Sequence, residues 1–547
     1  MPNRELTPQV TARVADLTAI YTDPDACAAY LLCDRHLADR VAYRIIGHGA
    51  PTDLTFGALR ARSERLASGL SKLGYGPGDR IATLMSKGED YLVTLLAVWR
   101  LGAVYVPLFT AFARGAIEMR LVASATRLVV CDAAQRSKLD GLAGAAMPDL
   151  KVGQFGDAGG DLSMHDIEAS GDDAFAAHVA GGDGAVIEVY TSGTTGKPKG
   201  VVVPLRAWAG FQAYGEFGLG LTQEDVFWNA ADPGWAYGLY FGVIASLTNG
   251  VTAIMHTEKF TADGTLAVLR DHAVTNFTAA PTVYRSLKAH GVGAGSIRLK
   301  SASSAGEPLT PDVNEWAPEA LGVEVHDHFG QTEAGMLVNN HHHSDLKRPI
   351  KPGSMGRSLP GWDMTVVDAE THEELGPDQP GLLAARLSES PFAWFSGYRS
   401  APEKNVERLT PCGRWYLTGD LAQYDAEGSF RFSSRDDDVI IMAGYRIGPF
   451  DIESVISTHP AVREVAVVAV PDEIRGEVLE AVVVLGAGFE PSEALSEEIK
   501  QKVRRDYATY AYPRQVHYRS DLPKTPSGKI QRFLIRDELR KALEVQQ

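Results

Sequence analysis

Helical and strand-like segments alternate through most of this chain, and this alternation constrains the fold more than any other feature. From LTFGALRARSERLASGLSKLG onward, amphipathic helical patterns are followed by short β-branched runs, and turns such as YGPGDR separate them. The alternation continues to about residue 340 without internal repeats. It predicts an α/β fold.

Two changes in this pattern indicate how the chain is divided. Strands punctuated by glycine and proline follow in MGRSLPGWDMTVVDAETHEELGPDQPG, which indicates a more β-rich subdomain. The polar run SSRDDD, Ser433 to Asp438, then precedes a second compact alternation. Since 547 residues exceed the usual size of one core, we predict a large domain, 1–434, and a small domain, 435–547. The polar run is then a linker or hinge, and a charged turn inside one domain is the alternative.

Charge and hydropathy exclude several classes of protein. The chain has 53 Lys and Arg against 69 Asp and Glu, a net charge of −16, which argues against a nucleic-acid surface. No run approaches the roughly 18 apolar residues of a membrane span, and MPNRELTPQV does not resemble a signal peptide, so we expect a cytoplasmic protein. The three adjacent histidines, His341 to His343, are not expected to converge on one metal ion. The cysteines are too scattered for a metal knuckle and too few for a disulfide scaffold: Cys27, Cys33, Cys131 and Cys412.

The segment YTSGTTGKPKG, Tyr190 to Gly200, has the composition of a loop that binds a polyphosphate. Small residues let the backbone approach a ligand, hydroxyls donate hydrogen bonds, and lysines supply positive charge. It is not the P-loop GxxxxGK[ST], because Gly193 and Gly196 are three apart and Lys197 is followed by proline. The flanking runs AVIEVY and GVVVP predict that the loop joins two strands, with a helix only from about Leu205. Taken alone, the segment could also be a surface turn without a ligand.

Several further segments occur in a fixed order with this loop. They are SAGEPL at 304–309, HFGQTEAG at 328–335, YLTGD at 416–420, RDDDVIIMAGYRIG at 435–448 and LPKTPSGKIQR at 522–532. Together they resemble the motifs of adenylate-forming acyl-CoA synthetases, from about residue 50 to the C-terminus. GYRIGPFDIES, RGEV and YAYPRQVHYRSDLPKTPSGKIQR are most similar to the medium-chain branch, which is related to acetyl-CoA synthetases. The resemblance implies a multi-subdomain N-terminal adenylate-forming domain, a small mobile α+β C-terminal domain, and the use of ATP, Mg²⁺, a carboxylic acid and coenzyme A.

The implied chemistry suits these residue types. A carboxylate is ionised at neutral pH and is a poor electrophile, so its attack on the α-phosphate of ATP, with loss of pyrophosphate, prepares it for thiolysis by coenzyme A. Phosphoryl transfer depends mainly on positioning and charge neutralisation, which a hydroxyl-rich loop, a metal and a mobile lysine can supply. By resemblance, the β- and γ-phosphates contact Thr191, Ser192, Gly193, Thr194 and Lys199.

The other motifs imply roles for individual residues. Lys529 is the main catalytic residue, because its charge bridges the attacking carboxylate and the α-phosphate. Thr332 contacts the α-phosphate, and Glu333 holds Mg²⁺, which prefers oxygen ligands. The remaining nucleotide contacts implied by the resemblance are Gly306, Glu307 and Pro308 at the adenine, Gln331 beside Thr332, Asp420 and Arg435 at the ribose, and Arg446 at the α-phosphate.

The resemblance also implies that the small domain turns between the two half-reactions, since two nucleophiles need different groups around one adenylate. Asp437 is the predicted hinge residue. Gly444 is the glycine that lines the pantetheine tunnel, where a side chain would block the thiol. Several histidines, including His326 and His328, are present, but no spacing singles one out as the base for the thiol.

The residues predicted to line the acyl pocket indicate which acid is used. Synthetases dedicated to acetate carry a tryptophan immediately before QTE, whereas this chain has Gly330 there, and Ala305 and Ala236 also stand where those enzymes have larger residues. We therefore expect a deeper pocket and straight acids of about four to eight carbons. Tyr237 favours branched or aryl acids such as benzoate as the second candidate. The predicted lining is Trp235, Ala236, Tyr237, Ala305 and Gly330.

Two other functions stay open at this stage. The first is a family member that finishes differently, such as a luciferase or a stand-alone loader of a separate carrier protein. The second is a catalytically inactive homologue that serves as a binding protein, although Lys529 and Glu333 are both present. A homodimer is possible on this sequence, and no nucleic-acid or membrane partner is expected.

Overall fold

The structure is a computed structural model. It describes residues 6–142, 147–156, 160–191, 199–295, 297–399, 401–435, 438, 440–442, 445–472, 476–508, 511–525 and 530–546, with the backbone alone for 441, 445, 446, 476 and 543–546.

The α-helices in this part of the chain are mostly amphipathic and several begin at a side-chain cap. Thr7, Thr55, Ser163, Thr261 and Ser492 each accept a hydrogen bond from a backbone N–H of the first turn. The helices are α1 (Pro8–Thr22), α2 (Phe56–Lys72), α3 (Glu89–Arg100), α4 (Arg114–Ser124), α5 (Met164–Ser170), α6 (Trp208–Ala213), α7 (Ala245–Asn249), α8 (Ala262–Asp271), α9 (Pro281–Ala289), α10 (Pro311–Leu321), α11 (Pro449–Ser457), α12 (Glu493–Asp506) and α13 (Arg532–Gln546).

Short helical segments of other types lie between them. The π-helical segments are Tyr30–Asp34, Tyr214–Gly218 and Gly238–Ile244, and the 3₁₀ segments are Arg136–Leu139, Leu205–Ala207, Leu387–Glu389 and Pro402–Glu407. The helix expected from about Leu205 therefore starts as a 3₁₀ turn and continues as α6.

The strands carry the β-branched runs seen in the sequence. They are β1 (Val41–Ile46), β2 (Thr52–Thr55), β3 (Arg80–Leu84), β4 (Val104–Pro107), β5 (Leu128–Asp132), β6 (Lys151–Phe155), β7 (Leu162–Ser163), β8 (Ala185–Thr191), β9 (Lys199–Pro204), β10 (Val226–Asn229), β11 (Thr252–His256), β12 (Asn276–Ala279), β13 (Ser301–Ala305), β14 (Val325–Gln331), β15 (Gly335–Asn339), β16 (Arg357–Ser358), β17 (Met364–Val367), β18 (Gly381–Arg386), β19 (Trp415–Tyr424), β20 (Phe430–Arg435), β21 (Ile440–Met442), β22 (Tyr445–Ile447), β23 (Val462–Asp472), β24 (Gly476–Leu485) and β25 (Gln515–Tyr518).

Two large, mostly parallel sheets form the first part of the chain. One has the order β7-β6-β5-β3-β4-β8-β9, and the other has the order β16-β15-β14-β13-β12-β10-β11-β1-β2. Most of their parallel pairs are joined by connections that contain helices, which cover the faces of the sheets, so most of the strands are buried and read as apolar runs. The predicted α/β class is confirmed by this arrangement.

The antiparallel hairpin β8–β9 ends the first sheet, and it holds the predicted phosphate loop. The register pairs Thr191 with Lys199 at the end of the hairpin. The two flanking runs are therefore strands, as the sequence indicated.

Two smaller sheets follow. β17 to β20 form an antiparallel sheet in the order β17-β18-β19-β20, in the region where the sequence indicated a β-rich subdomain. The last sheet has the order β22-β21-β24-β23, with β25 beside β24, and α11, α12 and α13 belong to the same region. A large N-terminal domain and a small C-terminal domain therefore share the chain.

The small domain has an apolar cluster of its own, which includes residues from Ile440 to Leu539. Next to the predicted boundary, Ser433 Oγ donates a hydrogen bond to Asp451 Oδ2 at 2.7 Å, and the rings of Phe432 and Phe450 lie 5.9 Å apart. The division at 434 and 435 stays a prediction. None of the described helices is long and apolar enough to cross a membrane.

Candidate active site

Gln331, the last residue of β14, connects the large sheet to the four-stranded sheet. Its amide donates hydrogen bonds to the Thr418 carbonyl oxygen at 2.7 Å and to Asp420 Oδ2, and its Oε1 accepts one from the Tyr416 hydroxyl at 2.7 Å. Asp420 is buried and lies opposite Arg435 in the β19–β20 register. The structure thus brings together Gln331, Asp420 and Arg435, which the sequence assigned to the nucleotide.

Glu333 lies just beyond β14 and is buried. The Tyr398 hydroxyl donates a hydrogen bond to Glu333 Oε1 at 2.7 Å, and Arg408 Nε donates to the Tyr398 oxygen at 3.3 Å. Burial and the negative charge of Glu333 raise the pKa of Tyr398, so the phenol keeps its proton and remains a donor. Tyr398 and Arg408 were missed by the sequence analysis, because neither belongs to a motif used there.

Lys199 reaches the same tyrosine from the other large sheet. Its Nζ lies 4.9 Å from the centre of the Tyr398 ring and 3.2 Å from Glu407 Oε2. Thr332, next to Glu333, is held by a hydrogen bond from the Tyr240 hydroxyl to its carbonyl oxygen at 3.2 Å. The phosphate hairpin and the QTE segment, although distant in sequence, therefore meet at Tyr398.

The segment predicted to line the adenine follows β13. Gly306 has φ of +100°, a conformation that favours glycine, and a Cβ there would meet nothing within 4 Å. Glu307 forms an ion pair with Arg285 at 3.3 Å, and Pro308 follows.

A cavity of about 270 Å³ adjoins this segment and is lined by residues that include Leu309, Thr310, Asp327 and Ile350–Ser354. Asp327 Oδ2 accepts the Leu309 N–H at 3.2 Å, whereas the buried Oδ1 makes no hydrogen bond within the described part of the chain. Burial raises the pKa of Asp327 to about 8, so its carboxyl is protonated at neutral pH. The sequence analysis missed Asp327, since no spacing marks a strand residue as lacking a partner.

Some predicted residues are not placed. Ser192, Gly193, Thr194, Asp437, Gly444 and Lys529 lie outside the described residues, and only the backbone of Arg446 is described, in β22.

Arg532, three positions after Lys529, shows where the end of the SGK segment lies. Its guanidinium donates to both carboxylate oxygens of Glu453, at 2.9 and 2.6 Å. Although burial lowers it, the pKa of Arg532 is raised overall by nearby carboxylates, and Glu307 of the adenine segment is one of them. Arg532 of the small domain therefore interacts electrostatically with Glu307 of the large domain.

The residues predicted to line the acyl pocket include one aromatic group and several small residues. Trp235 packs against Phe109 and Phe112, with ring centres 5.3 and 5.4 Å away. Ala305 is buried in an apolar cluster, and Ala236 and Tyr237 pack against the same cluster.

Gly330 has a structural reason to be glycine that the sequence analysis did not consider. The β14–β15 register slips between Phe329 and Gly330, and a Cβ on Gly330 would lie 2.4 Å from the Gly335 carbonyl oxygen and 2.8 Å from Met336 Sδ. A larger residue at this position would first have to displace the β15 backbone. Its place in the acyl pocket stays a prediction.

Three buried or half-buried histidines form a group, and one of them, His328, lies in register with Ala305. Nitrogen atoms of His326, His328 and His342 lie within 4.8 Å of one another. The Asn340 carbonyl oxygen accepts hydrogen bonds from His326 Nδ1 and His328 Nε2, at 2.7 and 2.9 Å. Burial lowers the pKa of each imidazole, to about 4 for His326, so the group is neutral. Only the middle one of the three adjacent histidines, His342, belongs to it.

The fold and these contacts define the class of adenylate-forming enzymes, and the comparisons agree. A family model described as AMP-binding enzyme matches residues 33–398, and a model of the AMP-binding enzyme C-terminal domain matches residues 451–529. The chain therefore belongs to the AMP-binding enzyme family. It is an AMP-forming acid–CoA ligase, and the family implies the use of ATP and coenzyme A.

Individual relatives support the resemblance read from the motifs. The acetyl-coenzyme A synthetase of Bacillus subtilis (strain 168) is 34% identical over 535 residues, covering 93% of this chain and 90% of that protein. The mitochondrial acyl-coenzyme A synthetase ACSM4 of Rattus norvegicus is 34% identical, and the match covers 92% of this chain and 87% of that protein. The crystal structure of an acyl-CoA synthetase from Brucella canis is 40% identical, with a TM-score of 0.75 and coverage of 98% and 99%.

Proposed function

We propose that the protein converts a short- to medium-chain carboxylic acid to its CoA thioester through an acyl-AMP intermediate, with release of AMP and pyrophosphate. The observation that carries this proposal is the meeting of Lys199 and Glu333 at Tyr398. Lys199 is a cation next to the predicted phosphate loop, and Glu333 is a buried carboxylate that contacts the same tyrosine. Such a pair suits a nucleoside triphosphate with its metal ion, because the phosphate charge must be neutralised during transfer.

The nucleoside end of ATP is assigned from two carboxyl groups in different states. Asp420, ordered by Gln331, accepts the ribose hydroxyls. Asp327 is protonated and so offers one donor and one acceptor, which matches the amino group and ring nitrogen along one edge of adenine. The cavity of about 270 Å³ beside Leu309 gives that edge a place to lie.

Glu333 would hold the magnesium ion. It is a buried oxygen ligand that accepts a hydrogen bond from the neutral Tyr398 hydroxyl, so its negative charge is not cancelled by that partner, and hard cations prefer such ligands. Bound magnesium neutralises phosphate charge. Thr332, fixed by Tyr240, contacts the α-phosphate beside it.

The small domain completes each half-reaction. Lys529 stabilises the charge that develops between the carboxylate and the α-phosphate, with Arg446 beside it. After rotation at Asp437, Gly444 lines the path of the pantetheine thiol. These roles rest on the motifs.

The acid is assigned by pocket size. Small residues at Ala236 and Ala305 favour straight acids of about four to eight carbons, since each buried methylene contributes about 0.8 kcal/mol. Aryl or branched acids are the second candidate, favoured by the ring of Tyr237. The cytoplasmic location and the homodimer stay predictions from the sequence.

Pyrophosphate release tests the proposal. It is measured with ATP, Mg²⁺ and acetate, butyrate, hexanoate, octanoate or benzoate, with and without coenzyme A, and thioester is quantified in parallel. We expect thioester with acids of intermediate length. Pyrophosphate release without thioester on addition of coenzyme A would indicate a loader of a carrier protein, and the absence of both would contradict the proposal.

A further inference from the structure

A charged residue lies inside β8, the strand that leads to the predicted phosphate loop. Glu188 is the only acid in the run AVIEVY, and its side chain is fully buried. Carboxylates are almost never buried to this extent unless they are paired with cations. Glu188 therefore has partners whose positions it can fix.

Two arginines from different parts of the chain contact this carboxylate. Arg399 Nη1 donates a hydrogen bond to Glu188 Oε2 at 2.6 Å, and Arg80 Nε, on β3, donates to the same oxygen at 3.4 Å. The Tyr190 hydroxyl donates to Glu188 Oε1 at 2.5 Å. Burial and the contact with Glu188 raise the pKa of Tyr190, so the phenol keeps its proton and remains a donor. Both carboxylate oxygens of Glu188 are thus held.

Arg399 belongs to the segment that carries Tyr398, and this segment lies beside β9. The Arg399 backbone N–H donates to the Gly200 carbonyl oxygen at 2.9 Å, and Tyr398 forms an antiparallel bridge with Val201. Because side chains alternate between the two faces of a strand, Arg399 shares a face with Gly200, and Tyr398 lies on the opposite face with Val201. On that opposite face, the Lys199 ammonium lies 4.9 Å from the centre of the Tyr398 ring.

The Arg399 side chain has to cross β9 to reach β8, and a glycine lies at the crossing. Gly200 is paired with Tyr190 in the register of the two strands, and a Cβ on Gly200 would lie 3.2 Å from the Tyr190 ring. The ion pair of Glu188 with Arg399 therefore joins β8 to the Tyr398 segment across the intervening strand.

We propose that Glu188 and Arg399 are positioning residues for the binding of ATP with its metal ion. Their ion pair fixes the Tyr398 segment on one face of the hairpin, and Tyr398 on the other face sets the spacing between Lys199 and Glu333. This inference rests on the proposed function, and it assigns to Glu188 and Arg399 an effect through Tyr398 rather than contact with the substrate.

The second arginine of Glu188 provides an internal control. Arg80 pairs with the same carboxylate oxygen, but it belongs to β3 and not to the Tyr398 segment. A Glu188 that only stabilised the fold would depend on both arginines alike, whereas a positioning role depends on Arg399 alone.

The test measures ATP binding and adenylation in the full chain. Arg399→Gln removes the charge of a side chain that is 38% exposed, so the variant should fold. We expect two quantities to rise about tenfold: the Kd for ATP, measured by calorimetry with Mg²⁺ and without acid, and the Mg²⁺ concentration that gives half-maximal ATP–pyrophosphate exchange with the most active acid. Arg80→Gln should keep both values. Glu188→Gln should match Arg399→Gln, and if it does not fold, Arg399→Gln decides alone.

A double variant shows whether the effect passes through Tyr398. Tyr398→Phe and Arg399→Gln would then act on one contact, so their effects on the exchange rate should not be additive. Each substitution alone should lower the rate about tenfold, and the double variant should be about tenfold, rather than about a hundredfold, slower than wild type.

Three results would overturn the inference and leave the proposed function standing. The first is an Arg399→Gln variant that has a lower Tm but the ATP affinity and Mg²⁺ dependence of wild type. The second is an equal loss in Arg80→Gln, and the third is a loss of about a hundredfold in the double variant. If wild type shows no exchange with any of the acids, the proposed function fails and this inference fails with it.

Discussion

Lys199 and Glu333 both contact Tyr398: the Lys199 ammonium lies 4.9 Å from the ring centre, and Glu333 Oε1 accepts a hydrogen bond from the Tyr398 hydroxyl at 2.7 Å. The two charged residues come from different large sheets, β9 and the end of β14. The tyrosine therefore sets the spacing between the proposed phosphate-binding cation and the proposed magnesium ligand.

Replacing Tyr398 by phenylalanine tests that role. Glu333 would lose its ordering hydrogen bond, and we expect the rate of adenylation to fall about tenfold, with the loss largest at low Mg²⁺ concentration. The measurement is ATP–pyrophosphate exchange as Mg²⁺ is varied. Tyr424→Phe is the control, since that hydroxyl donates to the Leu375 carbonyl oxygen at 2.9 Å in another part of the sheet. An unchanged Mg²⁺ dependence would contradict the assignment of Glu333.

Gln331 is predicted to act by orienting Asp420. Gln331→Leu removes three hydrogen bonds that join β14 to β19, and we expect KM for ATP to rise about tenfold or more, at a cost of about 1–3 kcal/mol. Steady-state kinetics with ATP as the varied substrate gives the value. Gln501→Leu, which removes only an exposed contact with Glu497, should match wild type. An equal KM in both variants would remove Gln331 from the nucleotide site.

Asp327 makes stability depend on pH in the direction opposite to most aspartates. Its pKa is raised by burial from 3.8 to about 8, so between these values the folded protein keeps a proton that the unfolded chain has released. Rising pH therefore favours unfolding. The apparent Tm of wild type should decline relative to Asp327→Asn from about pH 4 to pH 8, in thermal melts without ATP.

Asp451 provides the internal check on this pH series. Burial raises its pKa to about 6, so ionisation of Asp451 lowers the stability of both proteins over a more acidic range than ionisation of Asp327. This effect is the same in wild type and in Asp327→Asn, so it cancels when their Tm values are subtracted. Parallel melting curves for wild type and Asp327→Asn would show that Asp327 is ionised in the folded protein.

The small residue at position 305 is expected to set acid length. Ala305→Val adds volume to a buried wall, so kcat/KM for hexanoate relative to butyrate should fall about tenfold. Gly330→Trp is a poorer test of pocket depth, because even the Cβ would meet the Gly335 carbonyl oxygen at 2.4 Å. Gly330→Ala should mainly lower Tm. An unchanged length profile in Ala305→Val would place the acyl chain elsewhere.

The two half-reactions should separate in the small domain. Lys529→Ala should reduce adenylation a hundredfold or more, about 3 kcal/mol, and leave thiolysis of supplied acyl-AMP largely intact. Gly444→Leu should show the reverse defect. Both rates are measured for each variant by pyrophosphate release and by thioester formation. Equal loss of both steps in Lys529→Ala would argue against rotation of the small domain.

The sequence predicted what local pattern encodes. The β-branched runs around the predicted phosphate loop form the hairpin β8–β9, because such residues are enriched in strands. The QTE and TGD motifs were each assigned to the nucleotide by resemblance, and a hydrogen bond from Gln331 to Asp420 joins them in the structure.

Other parts of the site depend on contacts between distant segments, which no local pattern contains. Tyr398 and Arg408 carry no motif and contact Glu333 only because two sheets meet there. The sequence predicted that Gly330 leaves space in the acyl pocket, but the register slip opposite β15 is a second reason for a glycine at this position. The neutral state of Asp327 likewise follows from its burial, which is a property of the folded chain.

The separate apolar cluster of the small domain has a consequence for how easily that domain can turn. Its strands and helices bury their own side chains, from Ile440 to Leu539, so turning it as a unit exposes none of that interior. Contacts such as Ser433 with Asp451 and Phe432 with Phe450 lie at the junction and would be exchanged instead. The free energy that the proposed rotation needs is therefore that of the contacts at this junction, and binding of one substrate would have to supply it.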